Sequence, residues 1–183
     1  MISFLGKFFP SFARPASRRE ELTELLQESL DDKTSFDSHE GTLLQNFLGL
    51  RDITAADVMV PRADIVSVAL ADGFDDIIQQ MSDANHSRVP VYRETLDDVV
   101  GIIHIKDLFA HLRNGHTPTV ESQLRPALII SPTIRLLDLL HEMRLRRRHL
   151  ALVVDEFGGV DGLITIEDLV EEIVGEIEDE HDT

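Results

Sequence analysis

The sequence predicts an α+β fold made of two copies of a β-α-β-β-α unit, arranged as a pseudo-twofold pair and preceded by N-terminal helices. Three observations predict it. The segment Val99-Val100-Gly101-Ile102-Ile103-His104-Ile105-Lys106-Asp107-Leu108 returns as Val160-Asp161-Gly162-Leu163-Ile164-Thr165-Ile166-Glu167-Asp168-Leu169, at a constant offset of 61 residues. Upstream, Pro90-Val91-Tyr92 falls on Ala151-Leu152-Val153 at the same offset, and with a slip of one residue Met81 falls on Met143. In each copy, short β-branched runs alternate with stretches whose apolar residues recur at helical spacing. A period near sixty residues marks one supersecondary unit used twice, each copy burying against the other what it cannot bury alone. Two units from about Asp52 to Val174 are long enough to bury a core unaided.

Taken in order, residues 1–18 form a flexible leader in which Phe4, Phe8, Phe9 and Phe12 stand among Lys7 and Arg14, and Pro10 and Pro15 block a long helix. Residues 19–51 form a helical segment. Leu22, Leu25 and Leu26 give a short amphipathic helix, and Leu43, Leu44, Phe47 and Leu48 give a second. The first unit, 52–115, opens on Thr54-Ala55-Ala56-Asp57, a capping box in which the Thr54 hydroxyl takes a free backbone N–H. Pro61 ends that turn. Ile65–Val68 reads as a strand, Phe74, Ile77, Ile78 and Met81 as a helix face, and Val89–Tyr92 as the next strand. Asp97 and Asp98 turn the chain into Val99–Ile103, which leaves a glycine turn at Gly101, and a helix follows from Lys106 to Leu112. The second unit, 116–178, repeats the order with Leu128–Ile130, the helix face Ile134, Leu137, Leu140 and Met143, the strand Leu150–Val154, a turn at Phe157-Gly158-Gly159, and Val160–Ile164. A last helix runs from Glu167 to Ile177, with Leu169, Val170, Ile173, Val174 and Ile177 as its core stripe. An acidic tail occupies 179–183.

Composition narrows the function. The net charge of −17 argues against nucleic acid as a partner, because phosphate neutralisation needs a basic surface. The stretch Ile2–Phe12 is far short of the roughly 20 apolar residues a spanning helix needs, so no transmembrane segment is expected. With no cysteine there is neither a disulfide framework nor a thiolate metal site. From Asp155 onward there are about a dozen carboxylates and no Lys or Arg, whereas Arg144, Arg146, Arg147 and Arg148 cluster just before. The acidic stretch reads as a solvated helix face and tail, or as an edge that attracts Mg²⁺ through carboxylate oxygens. The arginines either complement a helix C-terminus or reach phosphates.

Three motifs carry a resemblance. They are Asp57-Val58-Met59-Val60-Pro61-Arg62, Val154-Asp155-Glu156-Phe157-Gly158-Gly159 and Ile173-Val174-Gly175-Glu176-Ile177-Glu178-Asp179-Glu180. With the β-α-β-β-α repeat and the segment His86-Ser87-Arg88-Val89-Pro90-Val91, the chain resembles a tandem pair of CBS (cystathionine-β-synthase) domains, a Bateman module. The closer likeness is to the CorC/HlyC/TlyC group, linked to magnesium and cobalt efflux. The chain looks like its soluble CorC-like subtype, stopping where relatives continue into a C-terminal transporter-associated domain.

That resemblance implies an adenine nucleotide, ATP or AMP, in a cleft between the copies. Val60, His86, Val89, Pro90 and Ile164 are assigned by similarity to the base, Arg88 and Thr165 to phosphate, and Asp168 to the ribose hydroxyls. The symmetric site would use His104, Asp107, Leu150 and Ala151, and is the weaker one because His104 stands where Thr165 stands in the second copy. One nucleotide per chain is expected, with Mg²⁺ bridging its phosphates and nearby carboxylates. The resemblance further implies a homodimer through the CBS pairs, a membrane transport protein as partner, and a place in the cytoplasm at the inner face of the plasma membrane. Each residue also has a plainer reading: Asp168 as a helix cap, Arg88 as a surface residue, His86 as a solvated polar group. No nucleophile stands beside a base, and neither a His-Glu-x-x-His helix nor a Walker-type phosphate loop is present, so an enzyme is not expected. The competing reading is a dimerisation scaffold indifferent to nucleotide.

Overall fold

The computed structural model describes residues 38–112 and 119–175. The chain divides into a unit ending at Leu44 and a second running from Gln45 onward. Helix α1 (Ser38–Gly49) crosses that division and matches the helix expected around Leu43–Leu48. The leader, the helix at Leu22–Leu26, the acidic tail and Ile177 lie outside the described residues.

The first copy runs α2 (Ala55–Val58), β1 (Val60–Pro61), a 3-10 turn (Arg62–Asp64), β2 (Val68–Ala69), α3 (Phe74–Asp83), β3 (Arg88–Tyr92), β4 (Val99–His104) and α4 (Ile105–Leu112). The second runs a 3-10 turn (Val120–Gln123), β5 (Leu128–Ile130), α5 (Leu136–Arg146), β6 (Leu150–Val154), β7 (Val160–Thr165) and α6 (Ile166–Val174). The strand expected at Ile65–Val68 is shorter and later, since the 3-10 turn takes the residues after Pro61. Thr54 forms the expected capping box with Asp57 at the start of α2. Its hydroxyl and its N–H both donate to Asp57 Oδ2, at 2.7 and 2.8 Å, and these bonds hold the exposed carboxyl below its ordinary pKa.

β3 pairs antiparallel with β4 and parallel with β2, and β6 pairs the same way with β7 and β5. The sheets differ at one edge. β1 belongs to the first copy yet pairs antiparallel with β7 of the second, Val60 opposite Leu163. In return the second copy sends Arg125 back to Ile102, with N–H···O bonds of 2.8 and 2.9 Å in both directions. Each copy thus lends its opening segment to the other.

This exchange explains the repeated glycine. Gly101 and Gly162 lie inside β4 and β7 instead of in turns, because a Cβ at Gly101 would stand 2.9 Å from Arg125 O and one at Gly162 would stand 2.7 Å from Val60 O. Only a residue without a side chain lets the lent segment approach so closely.

The strands are buried on both faces, so their runs are apolar without alternation. Ile103 faces the α3–α4 side with Val68, Ile77, Met81 and Leu108, and Ile164 faces α5–α6 with Leu128, Met143, Ala151 and Leu169. Their neighbours Ile102 and Leu163 turn the other way into a third cluster with Leu150, Leu152 and Val160, which joins the copies. The stripe on α6 is narrower than its spacing suggests: Leu169 is buried, but Val170 and Val174 are 42% and 44% exposed. The helix also stops at Val174, since Gly175 at φ 80° takes a conformation that favours glycine.

Candidate functional site

The second copy's site forms where β7 meets α6. Thr165 caps the helix: its Oγ1 accepts from Asp168 N at 3.2 Å, and Asp168 Oδ2 accepts from Thr165 N at 2.7 Å. The Oδ1 oxygen of Asp168 makes no hydrogen bond among the described residues and can accept a hydroxyl. Leu163, two residues earlier on the same strand face, carries Val60 beside it. Arg88 Nη1 lies 3.7 Å from the exposed Glu167 carboxylate. This cleft mouth therefore holds two carboxylates, Glu167 and Asp168, against the single guanidinium of Arg88.

The first copy's counterpart forms where β4 meets α4, and a cavity of about 270 Å³ opens there. Its lining takes in Arg88, His104, Lys106, Asp107, Arg125, Arg147, Arg148, His149 and Leu150. His104 replaces the Thr165 hydroxyl as cap, its Nδ1 accepting from Lys106 N at 3.0 Å. An imidazole accepting at Nδ1 carries its proton on Nε2. Burial pushes the His104 pKa below its ordinary value, and Arg88, Arg125 and Lys106 push it the same way against Asp107. The ring is therefore neutral at pH 7. Asp107 is occupied: Arg125 donates to it through Nε and Nη2, both at 2.9 Å.

The two sites are built from matching parts, and the strand register shows which. Val89 opposes Ile103 and Ala151 opposes Ile164, so Val89 corresponds to Ala151, an offset of 62. The one-residue slip at Met81 thus extends through β3, and Pro90-Val91-Tyr92 matches Leu152-Val153-Val154, not the residues the 61-residue offset selects. Asn85 and Arg147 confirm the match, both left-handed at φ 55° and 52°. His86 then corresponds to Arg148, and Arg88 to Leu150. The lent segments match at a third offset, Val60 with Arg125, because the 3-10 turn Arg62–Asp64 is extra to the first copy.

Of the residues assigned from sequence, Val60, Arg88, Thr165 and Asp168 lie around the second cleft, and Pro90 opposes Ile102 on the inter-copy face. Val89, Ile164 and Ala151 are fully buried, with side chains in the helix-facing cores, so only their backbone edges can meet a ligand. His86 is exposed at the end of α3, its N–H donating to Met81 O. His104, Asp107 and Leu150 line the first-copy cavity. Lys106 stands at the 61-residue partner position of Glu167, whereas Arg125 and His149 needed the 65- and 62-residue correspondences to be placed at the site.

Among the described residues, the first two motifs prove to be mostly scaffold. Arg62 donates to the Asp97 carboxylate and, at 2.7 Å, to Val160 O, while Val160 N donates to Asp97 at 2.9 Å. This knot ties the 3-10 turn of one copy to the β6–β7 hairpin of the other; it lowers the Asp97 pKa and raises that of Arg62. Asp155 Oδ1 accepts from Phe157 N and Gly159 N at 2.8 and 2.7 Å, shaping the hairpin loop at Gly158, φ 89°.

Two sheets that exchange edge segments around paired strand-to-helix clefts define the class, a tandem CBS pair. The CBS domain family model matches residues 55–114 and 122–175, and the chain belongs to that family. Within it, the chain falls with the CorC group. It is 48% identical over 144 residues to a hemolysin C homolog of Rickettsia rickettsii, covering 78% of this chain and 48% of that one. It is 38% identical over 182 residues to the magnesium and cobalt efflux protein CorC of Vibrio cholerae, covering 98% of this chain and 62% of that one. The chain thus spans about half to three-fifths of the length of these curated relatives.

Solved structures agree. The CBS domain of a bacterial CNNM/CorC family Mg²⁺ transporter superposes with a TM-score of 0.79 at 35% identity, covering 87% of this chain and 98% of that one. The same kind of domain in complex with ATP gives 0.69 at 37% identity, covering 75% and 99%. A CBS-domain pair with bound AMP from Klebsiella pneumoniae gives 0.59 at 28%, covering 67% and 99%. No helix among the described residues is long and apolar enough to cross a membrane, and no group of three or more His, Asp or Glu among them is placed to hold a metal ion.

Proposed function

We propose that the chain is a regulatory module that binds an adenine nucleotide, ATP or AMP, at the second-copy cleft and reports its presence to a magnesium or cobalt transport protein. The observation that carries this reading is the Thr165–Asp168 cap, with Asp168 Oδ1 left to accept a ribose hydroxyl at a helix N-terminus. The ATP and AMP complexes of similar CBS domains support it. Thr165, Asp168, Val60 and Arg88 take ribose, base and phosphate, with His86 at the rim. Because Glu167 and Asp168 face the phosphates, Mg²⁺ arrives on the nucleotide and relieves their repulsion, instead of occupying a site the protein forms beforehand. The apolar residues Val170 and Val174, exposed on α6, supply a face for a second copy in a homodimer. No step in this role is catalytic.

Calorimetry tests it. ATP with Mg²⁺ should bind the chain, and Asp168→Ala should weaken binding on the order of 10- to 100-fold, as expected for losing hydrogen bonds to a charged group. Equal affinity of the wild type and Asp168→Ala would sink the assignment of this cleft. The same constant in magnesium and in EDTA would remove the cation from it.

A further inference from the structure

The first-copy cavity gathers five cations, Arg88, Lys106, Arg125, Arg147 and Arg148, in a chain of net charge −17. Its one carboxylate, Asp107, is already engaged by Arg125. Among the described residues Lys106, Arg147 and Arg148 form no ion pair, and the nearest carboxylate to Arg88 is Glu167, on the other copy. A helix dipole accounts for Arg144 and Arg146 in the last turn of α5, but it does not account for this wall. Lys106 stands in the first turn of α4, where a cation is disfavoured. Arg147 stands in the left-handed conformation, at the position that the other copy gives to Asn85, a residue better suited to it. Lys106 therefore sits where the helix dipole argues against a cation, and Arg147 holds a backbone conformation that argues against so large a side chain; both line the same cavity.

We propose that this cavity is a second ligand site, for a chain of adjacent phosphate groups, held by Lys106, Arg147 and Arg148 with Arg88 and His104 beside them. Guanidinium forks suit phosphate oxygens, and a cleft of one charge concentrates the opposite charge within it. The carboxylate that would take ribose hydroxyls is the one Arg125 clamps, so the recognised group is phosphate and not nucleoside. At about 270 Å³ the cavity lies just under the roughly 300–1,000 Å³ usual for larger ligands. The neutral His104, accepting at Nδ1, presents an Nε2–H donor without adding a sixth mutually repelling charge.

The test is titration calorimetry on the full chain with sodium tripolyphosphate, orthophosphate, ATP and AMP at two salt concentrations. Tripolyphosphate should bind at least tenfold tighter than orthophosphate, and more weakly as salt rises. Arg147→Asn with Arg148→His installs the residues found at the twin positions of the other copy. It should weaken tripolyphosphate at least tenfold and flatten the salt dependence, with the melting curve showing a folded protein. No tripolyphosphate binding, or equal binding by wild type and this variant, overturns the proposal. So does loss of tripolyphosphate binding on Thr165→Ala, which would send the phosphates to the other cleft. If Asp168→Ala leaves ATP affinity unchanged while tripolyphosphate still needs Arg148, the nucleotide reading of the second cleft fails and this site stands. Displacement of tripolyphosphate by ATP but not AMP, in the Asp168→Ala background, identifies a nucleotide tail as the source. Displacement by neither identifies an inorganic chain.

Discussion

The two clefts come from one repeated segment and share their backbone plan, yet their charges are opposite. At the second, Glu167 and Asp168 face Arg88 alone; at the first, the matching helix positions are Lys106 and Asp107, the lent residue is Arg125 in place of Val60, and Arg148 stands in place of His86. Where the packing constrains residues, the copies agree, as Gly101 and Gly162 do under the lent segments. Where side chains look into the clefts, they have diverged. A repeat preserves what both copies must bury and leaves the mouths of its clefts free to specialise.

The largest expected effects should leave the copies alike. Leu108→Ala and Leu169→Ala each empty a fully buried site and should cost about 2–5 kcal/mol by chemical denaturation. Losses that differ by more than about 2 kcal/mol would break the equivalence of the two cores. Next, Gly162→Ala and Gly101→Ala push a methyl group against a backbone oxygen at 2.7 and 2.9 Å, and each should cost about 1–3 kcal/mol. A neutral result at either would show that its lent segment is not held where it lies.

Smaller effects should separate the copies. Thr165→Ala removes the hydroxyl that caps α6 and should cost about 1 kcal/mol, whereas His104→Asn keeps a capping acceptor at the start of α4 and should cost less. The smallest effect is a pH slope. The folded protein lowers the pKa of His104, so the unfolded chain takes up that proton first as pH falls below about 6.5. Stability should therefore decline from that pH downward to the folded pKa, and His104→Gln should flatten the decline. Arg88 on β3, Lys106 and Asp107 on α4, Arg125 and His149 surround the ring, so the comparison is best made between wild type and this variant over pH 5–7. An identical slope in both would remove His104 as its source.

Much of the fold was legible because a β-α-β-β-α unit writes its periodicity into the chain. The decapeptide repeat located β4, β7 and the two helix starts, and the Thr165–Asp168 box was readable as a cap. The second site was less legible. A single offset of 61 residues misaligned β3 with β6, since the extra residue lies in the β3–β4 hairpin, between Tyr92 and Val99, where the second copy is shorter between Val154 and Val160. That error hid the pairing of His86 with Arg148, and with it the basic wall. Val89, Ala151 and Ile164 read as cleft residues from sequence, but strand alternation turns their side chains to the helices.

By itself the sequence determined the repeat, the fold class and the residues that start the helices, because hydrophobic spacing and caps act over a few neighbouring positions. Only the tertiary structure decided which copy owns which edge segment, why the repeated glycines lie inside strands, and which cleft collects the cations. Those outcomes depend on residues from 18 to 103 positions apart meeting across the pseudo-twofold axis, as Arg125 meets Asp107 and Val60 meets Leu163. Such meetings follow from how two sheets exchange their edges, which local propensity does not encode.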